Sequence, residues 1–258
     1  MKNSTKLASA ALIAAIGFGA LAPQAVKAAE DTSSLTGKGK VQFTAGSQTT
    51  DTAPITNPPG GSASSGATDQ PITSGGTTQA VGAFGINYVS DLDFAKHDIV
   101  SSNANTETYW ATKWSGNSGA VTNANFIKFK DIRNTVQSHG YTISAKITKQ
   151  FTSENSAVLN GATITYTNPS VVADTGYTEI PTGLETAPVI SADASSNVLV
   201  NPNNGATGYG SFSLLWGQGG NEDKSVQLSI PRGTTNAVIT QGTYNAEVTW
   251  TMTAAPQA

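Results

Sequence analysis

Apolar and polar residues alternate in short runs along much of the chain. The C-terminal segment YNAEVTWTMT shows this most clearly, because Tyr244, Ala246, Val248, Trp250 and Met252 are apolar and the residues between them are polar. A period of two is typical of a strand with one face in the core and the other in solvent. The segment therefore predicts a half-buried strand near the end of the chain.

Similar runs precede this tail, and turn-forming sequences separate them. The runs are AFGINYVSDLDFA, FIKFKDI, YTISAKI, ATITYT, FSLLW and SVQLSI, and the turn sequences include SGNSG, SHG, NPS and PRGTTN. No long stretch has the 3.6-residue period of a helix. Many short strands joined by polar turns predict an all-β fold, an antiparallel β-sandwich of the Ig-like or Greek-key type with long loops.

The first residues have the composition of a secretory signal. Lys2 and Lys6 are followed by the apolar run LASAALIAAIGFGALA and by the small residues of VKA, which ends at Ala28. A positive start, an apolar middle and a small-residue cleavage site are typical of a signal peptide. We therefore expect a signal peptide over residues 1–28, and a protein that is secreted to the cell surface.

The next segment, residues 29–80, differs in composition from everything after it. It begins with KGKVQFTAGS, which predicts one short strand, and continues in residues 51–80 with a Gly/Ser/Pro/Thr-rich tract without aromatic residues. Such a tract cannot bury enough apolar surface to fold, so it predicts a disordered tether. An ordered loop lying along the domain is the alternative. Residues 81–258 then form the predicted β-sandwich domain.

Charge and cysteine content exclude several classes of function. The chain has 17 acidic and 14 basic residues and no cysteine. Removal of Lys2, Lys6 and Lys27 with the signal leaves 11 basic residues (14 − 3) and a net charge of −6 (11 − 17). An acidic chain is a poor partner for nucleic acid. The absence of cysteine excludes thiol catalysis, thiolate metal sites and N-terminal lipidation.

Sequence signatures of catalysis and metal binding are also missing. His97 and His139 lie in predicted turns or strand edges, where a solvated side chain is the expected state. Asp91 and Asp93 could share one strand face as calcium ligands or as a glycosidase pair, but ordinary exposed aspartates are the favoured interpretation. We therefore predict a protein that is not an enzyme and has no catalytic residues, no cofactor and no metal.

Basic residues crowd into one short part of the chain. They are Lys128, Lys130, Arg133, Lys146 and Lys149. If FIKFKDIR and YTISAKITK paired as neighbouring strands, their lysines would form a basic patch for an anionic polymer such as teichoic acid. Lysines that guard a strand edge against aggregation are the alternative.

Aromatic residues crowd into another segment, TETYWATKW. It contains Tyr109, Trp110 and Trp114, and we interpret it as a loop. Its rings could stack on the apolar faces of sugars or fold back onto the core, and the sequence does not favour either state.

The tail also carries a spaced signature. Its positions are Tyr244, Val248, Thr249, Trp250, Met252 and Pro256. This resembles the C-terminal motif of the WxL-domain surface proteins of low-GC Gram-positive bacteria, with Met252 in place of the leucine. The segment DIRNTVQSHGYTISAKI resembles the family's earlier motif, with Tyr141 in place of the tryptophan and Ile143 in place of the leucine.

The resemblance implies an extracellular protein that attaches non-covalently to the peptidoglycan of the cell wall, without a membrane span in the mature chain. The lack of an LPxTG motif and of a lipobox cysteine agrees with this. The alternative is an adhesion module for a co-expressed surface protein or the host matrix, in which the VQFTAG strand completes a sheet in cis or in trans. Trp250 and Met252 could pack in the core or touch sugars, and their clean alternation favours the core.

Overall fold

The structure, a computed structural model, describes most of the chain after its first 31 residues. The described residues are 32–44, 75–79, 81–99, 106–116, 121–133, 138–174, 176–204, 207–231 and 239–256. The predicted signal peptide (residues 1–28) and the tract 51–74 of the predicted tether lie outside them.

The described residues form strands, with no helix among them, which confirms the all-β prediction. In chain order the strands are β1 (Thr32–Thr44), β2 (Gly76–Thr78), β3 (Phe84–Ser90), β4 (Leu92–Asp98), β5 (Thr106–Trp110), β6 (Trp114–Gly116), β7 (Val121–Asn123), β8 (Asn125–Asp131), β9 (Tyr141–Ser153), β10 (Thr163–Tyr166), β11 (Pro169–Ala173), β12 (Val189–Ile190), β13 (Ser196–Asn201), β14 (Gly210–Trp216), β15 (Val226–Pro231) and β16 (Gly242–Ala254). The alternating runs noted above correspond to β3, β4, β8, β9, β10, β14, β15 and β16.

Hydrogen bonding assembles these strands into three larger sheets and a small hairpin. Sheet A has the order β13-β9-β16-β1-β4, sheet B the order β11-β14-β8-β3-β2, and sheet C the order β12-β10-β15-β5. The hairpin pairs β6 with β7. All pairings are antiparallel except that of β1 with β4, which is parallel.

One core lies between sheet A and the other two larger sheets. Phe129 of sheet B meets Tyr141 of sheet A at a ring-centroid distance of 5.9 Å. Trp250 of sheet A lies 5.4 Å from Trp216 of sheet B and 5.5 Å from Tyr166 of sheet C. The inward residues of all three sheets belong to one buried cluster, so the fold is sandwich-like, as predicted.

Strand β1 is longer and more central than the sequence suggested. It pairs with β16 from Thr32 to Phe43 and with β4 on its other side. Leu35 and Val41 point into the core. Between them, Gly37 faces inward where a Cβ atom would come within 2.5 Å of Val89, so a larger residue would separate the two sheets. The domain boundary predicted at residue 80 placed β1 and β2 outside the sandwich, and β2 within the disordered tether, whereas β1 lies in sheet A and β2 in sheet B.

A second, smaller apolar cluster lies on the outer face of sheet B. It consists of Tyr88, Trp114, Ala124, Phe126 and Leu215. Trp114, from the β6–β7 hairpin, packs edge-on against Phe126 at 5.1 Å. Its indole N–H donates to the carbonyl of Gly75 at 2.6 Å, which satisfies the buried donor. The hairpin therefore covers one end of this face.

Candidate functional site

The two segments that resemble the family's motifs lie side by side in sheet A. Strand β9 carries the earlier motif, β16 carries the C-terminal one, and the two strands pair antiparallel. Met252 is opposite Ile143, and Ala254 is opposite Tyr141. The motifs, about a hundred residues apart in sequence, therefore form one continuous structural unit.

The apolar side chains of this unit are directed into the core. Trp250 is 1% exposed, and Met252 and Ile143 are fully buried. The indole of Trp250 packs against Trp216 and Tyr166, and burial raises the pKa of the Tyr166 phenol. A sugar cannot reach Trp250 in this state, so its contribution is to the packing of the two layers.

The remaining motif residues secure the ends and the outer face of β16. The backbone N–H of Thr240 donates to the Tyr244 hydroxyl at 3.1 Å, and that hydroxyl donates to the Thr240 carbonyl at 3.2 Å. Thr249 hydrogen-bonds Thr148 of β9 at 3.0 Å. The carbonyl of Pro256 accepts a hydrogen bond from the Asn203 side chain at 3.0 Å. Val248 is buried with the apolar set.

The basic residues do not form the expected patch. The pairing of FIKFKDIR with YTISAKITK that the patch required does not occur, because β8 lies in sheet B between β14 and β3, whereas β9 lies in sheet A between β13 and β16. Both strands thus have two other partners. Lys130 lies on β8, on the outer face of sheet B opposite Ser211.

The other cations are mostly close to acceptors. Lys128 lies 3.1 Å from the Asp174 carboxylate, and Lys149 lies 3.9 Å from Glu247. The ammonium of Lys146 donates to the carbonyl of Asp193 at 3.4 Å. These contacts reduce the field that a distant polyanion would feel.

Arg133 belongs to a buried polar cluster that the sequence did not reveal. Its guanidinium donates to both carboxylate oxygens of the fully buried Asp131, at 2.9 and 2.7 Å, and lies over the Phe84 ring at 4.2 Å. His139 Nδ1 lies 3.1 Å from the same carboxylate, and its side chain is 12% exposed. The prediction of a solvated His139 is therefore wrong. His139 lies eight residues after Asp131 in the sequence, and the passage of the chain from β8 in sheet B to β9 in sheet A brings the two side chains together.

The second histidine is also engaged. His97 lies on β4, and its Nε2 is 2.6 Å from the Phe94 carbonyl. Its ring packs on Tyr109 at 4.1 Å. The rings of His97 and Tyr109 therefore help to join β4 to the edge of sheet C, and His97 is not a solvated side chain.

Asp91 and Asp93 lie at a groove of about 490 Å³ on the outer face of sheet A. Burial raises the pKa of Asp91 more than the nearby Lys38 lowers it. Asp93 lies 4.0 Å from Lys40. Among the described residues, no group of three or more His, Cys, Asp or Glu side chains could hold a metal ion.

The aromatic segment TETYWATKW is not a loop, which corrects that interpretation. Thr106–Trp110 forms β5 at the edge of sheet C, because the segment alternates and β15 provides a partner. Tyr109 packs on His97, and Trp114 is buried beneath the hairpin. Trp110 is 42% exposed, while the chain's other three tryptophans are buried.

Comparison with protein families identifies the family of this chain. A family model described as "WxL domain surface cell wall-binding" matches residues 30–256, from β1 to the end of β16. A search of curated proteins finds no match. No helix among the described residues is long and apolar enough to cross a membrane.

Proposed function

We propose a function that starts from the family, since the chain belongs to the WxL family of surface cell wall-binding domains. The protein is exported and is held non-covalently on the peptidoglycan of a Gram-positive wall, without catalysing a reaction there. Family membership places the protein at the cell surface with the cell wall as partner. The identity of the polymer, the route of export and the absence of catalysis are the proposed parts.

The observation that carries the proposal is the extent of the family match. It covers residues 30–256, so it includes β1 as well as both motif strands. Because β1 lies between β16 and β4 in sheet A, the domain that the family match covers is the whole sandwich. Wall binding is therefore assigned to the surface of the whole sandwich, and the two motifs to its internal frame.

The arrangement of charged groups supports a binding role over catalysis. Acid–base hydrolysis of a polysaccharide needs two carboxyl groups that flank one bond in a cleft. Here the buried Asp131 is engaged by Arg133, and Glu222 lies 3.2 Å from Lys113. At the groove on sheet A, Asp93 is near Lys40, and Asp91 accepts a hydrogen bond from the Lys38 backbone beside the Lys38 ammonium. These carboxylates serve as ion-pair partners.

The test is co-sedimentation of the purified protein with isolated Gram-positive walls, before and after extraction of teichoic acid. We expect the protein to pellet equally with both preparations, and to release no soluble sugar from the walls. Pelleting that disappears after extraction would assign the partner as teichoic acid. A protein that stays in the supernatant with both preparations contradicts the proposal and makes a surface protein or the host matrix the next partner to test.

A further inference from the structure

The outer face of sheet C has the features of a sugar-binding platform centred on Trp110. We infer that this face binds the uncharged glycan strand of the wall, in preference to its peptides or to anionic polymers. This inference rests on the proposed function and names the polymer and the site. It starts from the exposed indole, since the other three tryptophans are buried.

Strand register places polar side chains in line with Trp110. Trp110 is opposite Gln227, Gln227 is opposite Thr165, and Thr165 is opposite Val189. Inward neighbours such as Leu228 are buried, so these positions share the outer face. With strands about 4.8 Å apart, the row is roughly 14 Å long, which accommodates two to three pyranose rings.

A second row runs parallel to the first. Thr108 is opposite Ser229, and Ser229 is opposite Thr163. Hydroxyl groups both donate and accept hydrogen bonds, as sugar hydroxyls do. The two rows therefore provide an indole for the apolar face of one sugar and a set of polar groups for the hydroxyls of its neighbours.

This surface, which we call the Trp110 face, has no charge among its described outward positions. They are Thr106, Thr108, Trp110, Thr163, Thr165, Val189, Gln227, Ser229 and Pro231. A face without cations gives a polyphosphate no electrostatic attraction, and a face without ion pairs has no charges to desolvate on binding. Both properties favour a neutral sugar chain.

The outer faces of the other larger sheets differ. On sheet A, Lys40 and Asp93 form one cross-strand charge pair, and Lys149 and Glu247 form another. On sheet B, the β6–β7 hairpin covers one end of the face, and Lys128 lies beyond it. In the part of the chain that the structure describes, sheet C alone combines an exposed tryptophan with uncharged neighbours.

The backbone next to Trp110 is fixed before any ligand binds. The N–H of Ala111 donates to the Val226 carbonyl at 2.8 Å, and the N–H of Thr112 donates to the Asp93 carbonyl at 2.7 Å. Lys113 then pairs with Glu222 at 3.2 Å. Although β5 is an edge strand, its end is held in place, so binding costs little ordering of the backbone.

The experiment compares the full chain with Trp110→Ala in wall co-sedimentation and in titration with a neutral β-1,4-linked oligosaccharide of N-acetylglucosamine, because glycan strands stripped of peptide carry free lactyl carboxylates. Because Trp110 is 42% exposed, we expect Trp110→Ala to fold, with a melting temperature lowered by only a few degrees through loss of the covered part of the indole. Its affinity should fall about tenfold or more, as for a central aromatic contact. Gln227→Ala should produce a smaller loss.

The matched control is Val172→Ala, since Val172 is 46% exposed but lies on β11 of sheet B. It should bind as the wild type does. In the titration, wild-type tryptophan fluorescence should change on binding, because Trp110 is the indole that solvent and ligand reach.

The outcomes separate the site from the function. Folded Trp110→Ala that no longer pellets, with Val172→Ala unaffected, supports the platform. If the wild type pellets and Trp110→Ala pellets equally well, the platform is overturned while wall binding stands. If pelleting depends on teichoic acid, or if the neutral oligosaccharide leaves the fluorescence unchanged, the glycan assignment is overturned. A wild type that does not pellet overturns both.

Discussion

Trp250 shows how a signature residue can be required without touching the ligand. Its indole packs between Trp216 and Tyr166, which come from the two opposing sheets. Replacement by alanine leaves a cavity that the rigid surroundings fill only in part. We expect Trp250→Ala to lower the free energy of unfolding by about 3–5 kcal/mol. Urea unfolding followed by circular dichroism measures this loss.

The matched control is Met252→Leu, which restores the leucine of the family signature at a fully buried position. A swap of similar volume should change the free energy of unfolding by less than about 1.5 kcal/mol. A folded Trp250→Ala of wild-type stability that fails to bind walls would contradict the core role and make Trp250 a ligand contact.

Glu222 makes the stability of the fold depend on pH in the acidic range. Burial raises its pKa, but backbone N–H groups of Glu222 and Gly220 and the ammonium of Lys113 outweigh this, so its pKa lies below the ordinary 4.5. A carboxyl whose folded pKa is lowered stabilises the fold above its unfolded pKa and loses that contribution as pH falls through the folded value.

We therefore expect Glu222→Gln to lower the melting temperature at pH 7 and the difference from wild type to shrink below about pH 4.5. Thermal melts from pH 7 to pH 3 measure this difference. The control is Asp223→Asn, because Asp223 is the exposed neighbour. A deficit that stays constant across this range would show that the charge of Glu222 does not stabilise the fold.

At the residue scale, the sequence predicted which face of a strand a side chain lies on more readily than which residues it contacts. The period-two pattern of β16 correctly placed Trp250 and Met252 on the buried face. It could not place His139 beside Asp131, because alternation does not show how the chain passes from β8 in one sheet to β9 in another. Local periodicity determines the face a side chain is on, and tertiary packing determines what it meets there.

At the scale of elements, long alternating runs were predictable and short strands were not. Strands β9 and β16 have clear alternation over most of their length. In contrast, β12 has two residues and β11 begins with a proline, and such segments become strands only because a neighbour offers hydrogen-bond partners. The same limit left the partners of β8 and β9 open, since alternation does not specify which strand lies alongside.

Strand β1 gives the prediction that belongs to this scale. It is hydrogen-bonded to β16 along almost its whole length and to β4 on the other side, with Val41 fully buried. These contacts do not depend on the covalent connection through residues 45–74. If a protease site is inserted after Ser62 and cut in the folded protein, the N-terminal piece should stay bound and co-elute in size-exclusion chromatography.

The control for this cut is the same cleavage and chromatography in a Val41→Asp background, where a buried charge opposes insertion of the strand. There the piece should separate from the sandwich after cleavage. Separation of the two pieces in the wild-type background would contradict the central role of β1 in sheet A.

The whole molecule presents three outer sheet faces of different character. Sheet A carries cross-strand charge pairs, sheet B is partly covered by a hairpin, and sheet C carries the neutral Trp110 face. The sequence predicted a sandwich and a wall-binding family, and it offered a basic patch as a possible contact for an anionic polymer, with edge-guarding lysines as the favoured alternative. The basic residues that are close in the sequence lie on β8 and β9, which belong to two different sheets, and this separation follows from the topology of the fold.

These faces predict how wall binding responds to salt. The chain has a net charge of −3, and Lys128 and Lys149 already lie beside carboxylates, so a polyanion meets little free positive charge. Added salt screens charge–charge attraction but does not weaken the stacking of an indole on a sugar. We therefore expect wall affinity to change by less than about twofold between roughly 0.05 and 0.5 M NaCl.

The variant Lys128→Gln/Lys130→Gln should bind as the wild type does at each salt concentration, whereas Trp110→Ala should bind weakly at all of them. A steep loss of affinity with salt, reproduced at low salt by the lysine variant, would instead assign the contact to the cations of sheet B and remove the neutral face from the mechanism.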